Sequence, residues 1–472
     1  MNITTSTGSI EDRKAPLPVV HVFDVDQRTG FMAPHPPLAR LPEAWEIWEA
    51  MLDAAVAAKL QLGDKIDLTD EEAAASKEWR KKAREMPLLP VGDLSGSAVL
   101  LRRAHLVLAY ILHFYVQSLP PDEPVSIPPS ISIPILRVSK ELDIPPLLTF
   151  SDTVLYNWDF RVAPDVDDAV PTTDNIRTQT MFTRTVDEEQ FYLCSTRIEL
   201  RGVEILELMR VTMDETFVGD AIALRGVEIL ELMRVTMDET FVGDAIAVRR
   251  IAGYLETIAG VIDDLKVLLL DVQRLCNPEV YYNVVRPWFR GEDSYEFREK
   301  RKWTFEGLED AADVVAPTEL SGPSAGQSSM VHVLDIFLGV DHQATTPGKP
   351  SFMSRMQSYM PHNHRMFLDH LKANPRPLRN FVVDAKDDKL LAAYTSAVKA
   401  LKEFRDAHMI IVTLYVTGPA RRAAKIALEK SVAGGVEHVN AAASAPLKGT
   451  GGTDLVKFLK DTRTRTTEAL IS

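Results

Sequence analysis

Apolar residues recur every three or four positions over most of the chain, the spacing that gives an α-helix one buried face. "PEAWEIWEAMLDAAVAAKL" shows this period, while "SAVLLRRAHLVLAYILHFYVQSL" is longer and apolar on almost every side, so it predicts a buried core helix. From about residue 183 to residue 416 nearly every segment keeps the helical period. Pro16, Pro18, Pro34, Pro36, Pro37 and Pro42 are too closely spaced for a long helix and make residues 1–45 an extended arm over the surface. "LPPDEPVSIPPSISIPILRVSKELDIPP" is punctuated by prolines and is expected to be irregular. The polar run "RVAPDVDDAVPTTDNIRTQT" reads as a linker near residues 160–182. The pattern therefore predicts a mainly α protein, with a smaller, mostly helical N-terminal domain over 1–182 and a larger all-helical domain over 183–472.

One interruption is of a different kind. "LRGVEILELMRVTMDETFVGDAIA" runs from Leu200 to Ala223 and recurs unchanged from Leu224 to Ala247. Two copies are too few for a solenoid, and structural repeats diverge on their exposed faces. Twenty-four residues add roughly six and two-thirds helical turns, so inserting the unit into one helix would rotate everything after it by about 240°. The unit is expected to leave the register of the helix, with Gly219 as a stop and Asp220 as the next N-cap. It is either a recent tandem duplication or an artefact of the gene sequence.

Composition narrows the classes. The 472 residues are 46% apolar, enough for a large core, and carry 53 basic against 67 acidic side chains, a formal charge of −14 that disfavours nucleic acid and anionic membrane as partners. Only Cys194 and Cys276 are present, which excludes a disulfide framework and a zinc–thiolate site and fits a reducing compartment. The N-terminal stretch lacks the features of a secretory or transit signal, and "LVLAYILHFYV" is too short to span a bilayer, so a cytoplasmic location is expected.

Several residues could carry chemistry. His408, in "EFRDAHMIIVTLYV", falls on the stripe formed by Leu401, Phe404, Ile411 and Tyr415. An imidazole there needs partners for its ring nitrogens, each unmet group costing roughly 1–3 kcal/mol; a core hydrogen bond or a metal would serve. Arg405 lies one turn before it, and Asp335, embedded in the apolar run "SSMVHVLDIFLGV", needs a counter-charge that Arg405 could supply. The small-residue loops "SGPSAGQSS" and "KGTGGTD" allow backbone to approach something flat and bulky, and neither has the order of a phosphate-binding loop. Phe191 and Ser195 share a helix face. Tyr281 and Arg286 are five apart, too far round a regular helix to align closely, but Pro287 should distort or end it at Arg286, whose guanidinium could project toward a ligand carboxylate. His362, His364 and His370 read as exposed loop histidines.

"IPPLLTFSDTVLYNW", "FYLCSTRIE", "NPEVYYNVVRPW", "SAGQSS…LDIFLGV", "MQSYMPHNHRMFLDHL", "FRDAHMIIVTLYV" and "KGTGGTDLVKFLK" together resemble the indoleamine 2,3-dioxygenase family in its fungal branch, in the family's order, from about residue 95 to the end. The resemblance implies one haem b in the large domain, with His408 as proximal iron ligand, Arg405 holding a propionate and paired with Asp335, and Ser324, Ala325 and Gly326 lining the distal haem face. It implies that Phe191 and Ser195, with Phe150, Thr153 and Val154, flank the substrate indole. Tyr281 would form part of the wall, where better-studied members have phenylalanine, and Pro323 stands where a glycine is usual. Arg286 would bind the substrate carboxylate, and Thr450 and Gly451 would belong to a mobile closing loop. The implied reaction joins O₂ to the C2–C3 bond of L-tryptophan or a related indoleamine, in the kynurenine route toward NAD, with an electron donor keeping the iron ferrous and the chain a monomer. The alternative is a haem-binding paralogue with little or no dioxygenase activity. Removing one copy of the repeat restores roughly the family's spacing between Ser195 and Arg286.

Overall fold

The computed structural model describes residues 23–166, 168–216, 245–294, 301–342, 350–373, 377–433, 449 and 454–471. The fold is mainly helical. Its first helices are α1 (Glu46–Ala57), α2 (Asp70–Glu85), α3 (Ala98–Gln117) and α4 (Pro129–Leu142). Thr69 and Glu72 form a capping box that starts α2, and the Ser97 hydroxyl accepts the Leu100 N–H at the start of α3. α3 is long and apolar enough to cross a membrane, but it lies inside the fold, packed against α1 and α4, with Ala104–Gln117 buried throughout.

The proline-rich stretch is a finding against expectation, because "PSISIPILRVSKEL" is the helix α4. Pro129 occupies its first turn, where a missing N–H costs nothing. Pro134 sits inside, which costs about 3 kcal/mol. That cost is outweighed by Ile131, Ile133, Ile135, Leu136 and Val138, all buried and each contributing about 1.5–3 kcal/mol. The segment read as a linker is also pinned: β2 (Trp158–Phe160) pairs antiparallel with β3 (Ile176–Thr178), and Tyr110 on α3 donates to Thr180 O at 3.1 Å. Before it, β1 (Val125–Ile127) runs parallel to β4 (Trp303–Phe305), joining segments far apart in sequence. The described part of the N-terminal arm is anchored as well. Phe31 is fully buried and meets the His364 ring at 4.9 Å, and Phe23 packs on Phe367 and His370.

The second half comprises α5 (Val186–Thr216), α6 (Ala245–Asp271), α7 (Ser329–Phe337), α8 (Phe352–Gln357), α9 (His362–Lys372), α10 (Leu378–Ala385), α11 (Asp388–Val412), α12 (Gly418–Ala433) and α13 (Leu455–Glu468). α6 packs along both α5 and α11, and α11 also meets α13. The first copy of the repeat continues α5 as far as Thr216; the proposed helix stop at Gly219 and most of the second copy lie outside the described residues. His362, His364 and His370 are on α9 and not in a loop, and His364 is fully buried because it closes the contact with Phe31 and Ser329.

Arg103 on α3 and Glu49 on α1 form a bidentate ion pair, at 2.6 and 2.8 Å, with both side chains buried. Breaking such a pair from one side strands the other charge. Glu49→Ala is expected to cost about 3–5 kcal/mol, read as a lowered urea midpoint, while Glu49→Leu combined with Arg103→Met recovers most of the loss.

Candidate functional site

α11 carries His408 and Arg405 on the same side, one turn apart. Leu401, Phe404, Ile411 and Tyr415 are buried around that stripe, whereas His408 is half-buried and neither ring nitrogen has a hydrogen-bond partner among the described residues. Burial, then the charge of Arg405, pushes its pKa down to about 4, so the ring is neutral at physiological pH. Arg405 is almost fully buried. Its guanidinium makes an ion pair with Asp335 on α7 and donates to the Thr466 hydroxyl on α13. Asp335 also accepts from His342 Nε2 at 2.7 Å. Burial alone would raise the Asp335 pKa, but Arg405 and His342 outweigh it and hold the carboxyl below its ordinary value.

A second group of side chains is carried by α5 and the turn after α6. Phe191 and Ser195 are both half-buried on that helix, and the Ser195 hydroxyl has no hydrogen-bond partner among the described residues. The Phe191 ring lies 4.2 Å from that of Tyr281, and Tyr281 meets Tyr415 at 5.7 Å, so an aromatic chain runs from α5 to the end of the helix bearing His408. Tyr281–Val285 is a π-helical turn, with the Arg286 N–H bonded to Tyr281 O. That wider turn brings Tyr281 and Arg286 onto neighbouring positions, which a regular α-helix would not do. Arg286 is buried, its guanidinium 5.7 Å from the Tyr282 ring. Burial lowers its pKa, opposed by Tyr281 and Tyr282.

The loop Ser324–Gln327 joins these groups to the N-terminal half. A Cβ on Gly326 would meet Phe352 at 3.1 Å and Met356 at 3.2 Å, so the loop sits tightly on α8 and leaves its small side chains elsewhere. Gln327 accepts the Phe150 N–H at 2.8 Å and donates to Gly322 O at 3.0 Å. Phe150, Thr153 and Val154 are buried at a second π-turn, Ser151–Leu155. Ser324 and Gly326 are half-buried and Ala325 is exposed. Thr450 and Gly451 lie outside the described residues.

Three further residues take part that periodicity did not single out. His113 on α3 donates from Nδ1 to Trp288 O at 2.7 Å and accepts the Leu148 N–H on Nε2 at 3.2 Å, holding the segments that carry Arg286 and Phe150 together. His332 donates to Gly326 O at 2.9 Å and accepts from Gln357 at 3.0 Å. Burial pushes both histidines down to about 4 and so keeps them neutral. Glu199, one turn beyond Ser195, accepts from the Ser328 hydroxyl at 2.6 Å, and burial pushes it up to about 7. A glutamate in the stripe of α5 was the available signal for the last of these; the two histidines had none beyond lying in apolar runs.

Residues 19–221 and 217–469 match the family described as Indoleamine 2,3-dioxygenase, the two stretches meeting inside the repeated unit. The chain belongs to the indoleamine 2,3-dioxygenase family. It is 30% identical to Indoleamine 2,3-dioxygenase of Saccharomyces cerevisiae over 496 residues, covering 99% of this chain and 97% of that protein. Identity to Indoleamine 2,3-dioxygenase 1 of Rattus norvegicus is 26% over 456 residues, with 96% of each chain covered. The 6-hydroxytryptophan 2,3-dioxygenase fscD of Fusarium equiseti is 27% identical over 451 residues, covering 95% of this chain and 97% of that protein.

Indoleamine 2,3-dioxygenases are haem dioxygenases, and the residues present fit that group. A neutral, half-buried imidazole with no hydrogen-bond partner on either nitrogen among the described residues is suited to bind iron. The small-residue loop offers a wall without bulky side chains, and Arg405 has N–H donors to spare beyond those given to Asp335 and Thr466.

Two measurements follow. His408→Ala is expected to abolish the Soret band of purified protein while leaving far-UV circular dichroism unchanged. Because the folded state holds the Glu199 proton up to about pH 7 and an unfolded chain releases it near 4.3, stability should fall as pH rises through that interval. Glu199→Gln removes this slope, so it should gain on the order of 3–4 kcal/mol over the parent near pH 8 and little near pH 4, read from urea midpoints.

Proposed function

We propose that the protein is a tryptophan dioxygenase: it adds both atoms of O₂ across the indole C2–C3 bond of L-tryptophan, breaking that bond and giving N-formylkynurenine. The observation that carries this reading is the buried Arg286, placed by a π-turn beside the aromatic group of Phe191 and Tyr281. A carboxylate at Arg286 would bring an attached indole against Phe191, with Ser195 as a polar contact.

Haem held by His408 would supply the redox chemistry that activates O₂. The other residues bind, orient and exclude water. Arg286 fixes the amino-acid end through a charge-assisted, two-pronged hydrogen bond. Phe191, Tyr281 and Phe150 would surround the ring with apolar surface, and Ser324, Ala325 and Gly326 would line the haem site. Arg405, braced by Asp335 and Thr466, holds a propionate. Thr450 and Gly451 close over the bound amino acid. This reading assigns no side chain to proton removal: Ser195 is a polar contact, and His113 and His332 spend both ring nitrogens elsewhere.

In this reading residues 1–182 are a small domain that provides Phe150, Thr153 and Val154, and residues 183–472 are the haem domain. A reducing cytoplasm, with an external electron donor, suits both ferrous iron and the two free cysteines. One relative acts on 6-hydroxytryptophan by its printed name, and the Tyr281 hydroxyl has no hydrogen-bond partner among the described residues, so a ring-hydroxylated indole is the competing substrate. Product formation from L-tryptophan and 6-hydroxytryptophan under reducing conditions decides between them; Soret absorbance with neither product supports the inactive paralogue.

Arg286→Ala is expected to raise KM for L-tryptophan by about 10- to 100-fold, the worth of one hydrogen-bonded charge. The ferrous carbon monoxide spectrum should stay nearly unchanged. Equal loss of haem in this variant would remove Arg286 from the substrate-binding role.

A further inference from the structure

Glu199 is 1% exposed. Oε1 accepts the Ser328 hydroxyl, while Ser328 Oγ itself accepts the Val331 N–H as the N-cap of α7. Oε2 is buried and has no hydrogen-bond partner among the described residues. Three residues further along α5, a Cβ on Gly202 would fall 2.6 Å from Met330 Cε, so α5 and α7 touch closely at this level and leave no room for a loosely held charge.

Charged and titratable groups lie on the stretches of α5, α7 and α9 near Glu199. On α5, Arg197 bonds to Thr173 O and Gln190, and Arg201 pairs with Glu204 and with Asp264 of α6. On α7, His332 is held by Gly326 O and Gln357, and Asp335 by Arg405 and His342. His364 of α9 is bonded to Ser329 through Nδ1; its buried Nε2 has no hydrogen-bond partner among the described residues, and burial pushes its pKa down to about 3, so the ring is neutral and carries no charge to offer. None of these gives Glu199 a counter-charge. An ionised carboxylate would leave one oxygen charged in dry surroundings, whereas the acid form places its proton on that oxygen.

We propose that Glu199 is a protonated positioning residue, clamping the Ser324–Gln327 loop against α5 through Ser328, and that its ionisation loosens the clamp. The inference rests on the reading of that loop as the distal haem wall. Ionisation strengthens the Ser328 hydrogen bond but leaves Oε2 to be solvated, and only water can do this. Admitting water requires α5 and the loop to part, so the wall of the site becomes sensitive to pH in the neutral range. Ser328 favours the charged form, so removing its hydroxyl should move the titration upward.

The test uses holoenzyme of the parent, Glu199→Gln and Ser328→Ala, with infrared spectra between about pH 5 and pH 9. A carboxylic-acid carbonyl band is expected to disappear as pH rises through neutrality in the parent, to be absent in Glu199→Gln, and to persist to higher pH in Ser328→Ala. The C–O stretch of the ferrous carbon monoxide adduct should shift over the same interval in the parent, stay constant in Glu199→Gln, and follow the displaced titration in Ser328→Ala. A band that survives Glu199→Gln, or that does not titrate, overturns the assignment of the proton. A titrating band with a pH-independent C–O stretch overturns the clamp. Failure of the haem reading is separate: it would appear as a missing Soret band in the parent, with the acid band still deciding the protonation of Glu199.

Discussion

Arg405 joins three helices that no local pattern would bring together. Its guanidinium reaches Asp335 on α7 and Thr466 on α13 from its own place on α11, and all three groups are buried. A buried ion pair contributes little net stability when both partners are present, but losing either partner is costly. The pair therefore acts chiefly as a constraint on register: α11 cannot slide or turn without stranding a charge. His408 is one turn away on the same helix, so the constraint that seats Arg405 also fixes the direction of the imidazole. α13, which supplies Thr466, is held to the same fixed point.

The opposite wall is organised by neutral hydrogen-bonding groups. His113, His332, Gln327 and Ser328 each satisfy a backbone or side-chain group that would otherwise be buried without a partner. Between them they tie the turn with Phe150, the segment with Arg286 and the small-residue loop to α3, α5 and α8. Neutrality suits this role. A charged histidine in either place would need a counter-ion inside the core, and burial keeps both rings unprotonated. The polar scaffold around the site thus combines one fixed charge cluster with several neutral clamps, among which Glu199 is the member whose charge changes near neutrality.

Much was legible along the chain where local forces and burial agree. The helical period located α1, α3, α5 and α11, because a 3.6-residue repeat of apolar side chains is itself the condition for one face to be buried. The need of Asp335 for a counter-charge pointed to Arg405 for a similar reason: a lone buried charge is too costly to be tolerated. The reading failed where tertiary burial overrode a local penalty. Pro134 lies within a helix since five neighbouring aliphatic side chains have a core to enter, and His364 is buried since Phe31 arrives from the N-terminal arm to cover it.

The amino-acid order by itself determined the helical class, the family and the candidate residues, because periodicity, composition and motif are properties of the chain read in one dimension. Only the tertiary structure decided that Tyr281 and Arg286 share a wall through a π-turn and that, among the described residues, His408 has no hydrogen-bond partner on either nitrogen and Glu199 has no counter-charge. Those are statements about what lies beside a group and what does not. Partners as distant in sequence as Glu199 and Ser328, or Arg405 and Thr466, are chosen by packing, and desolvation acts on a side chain only after its neighbours are in place.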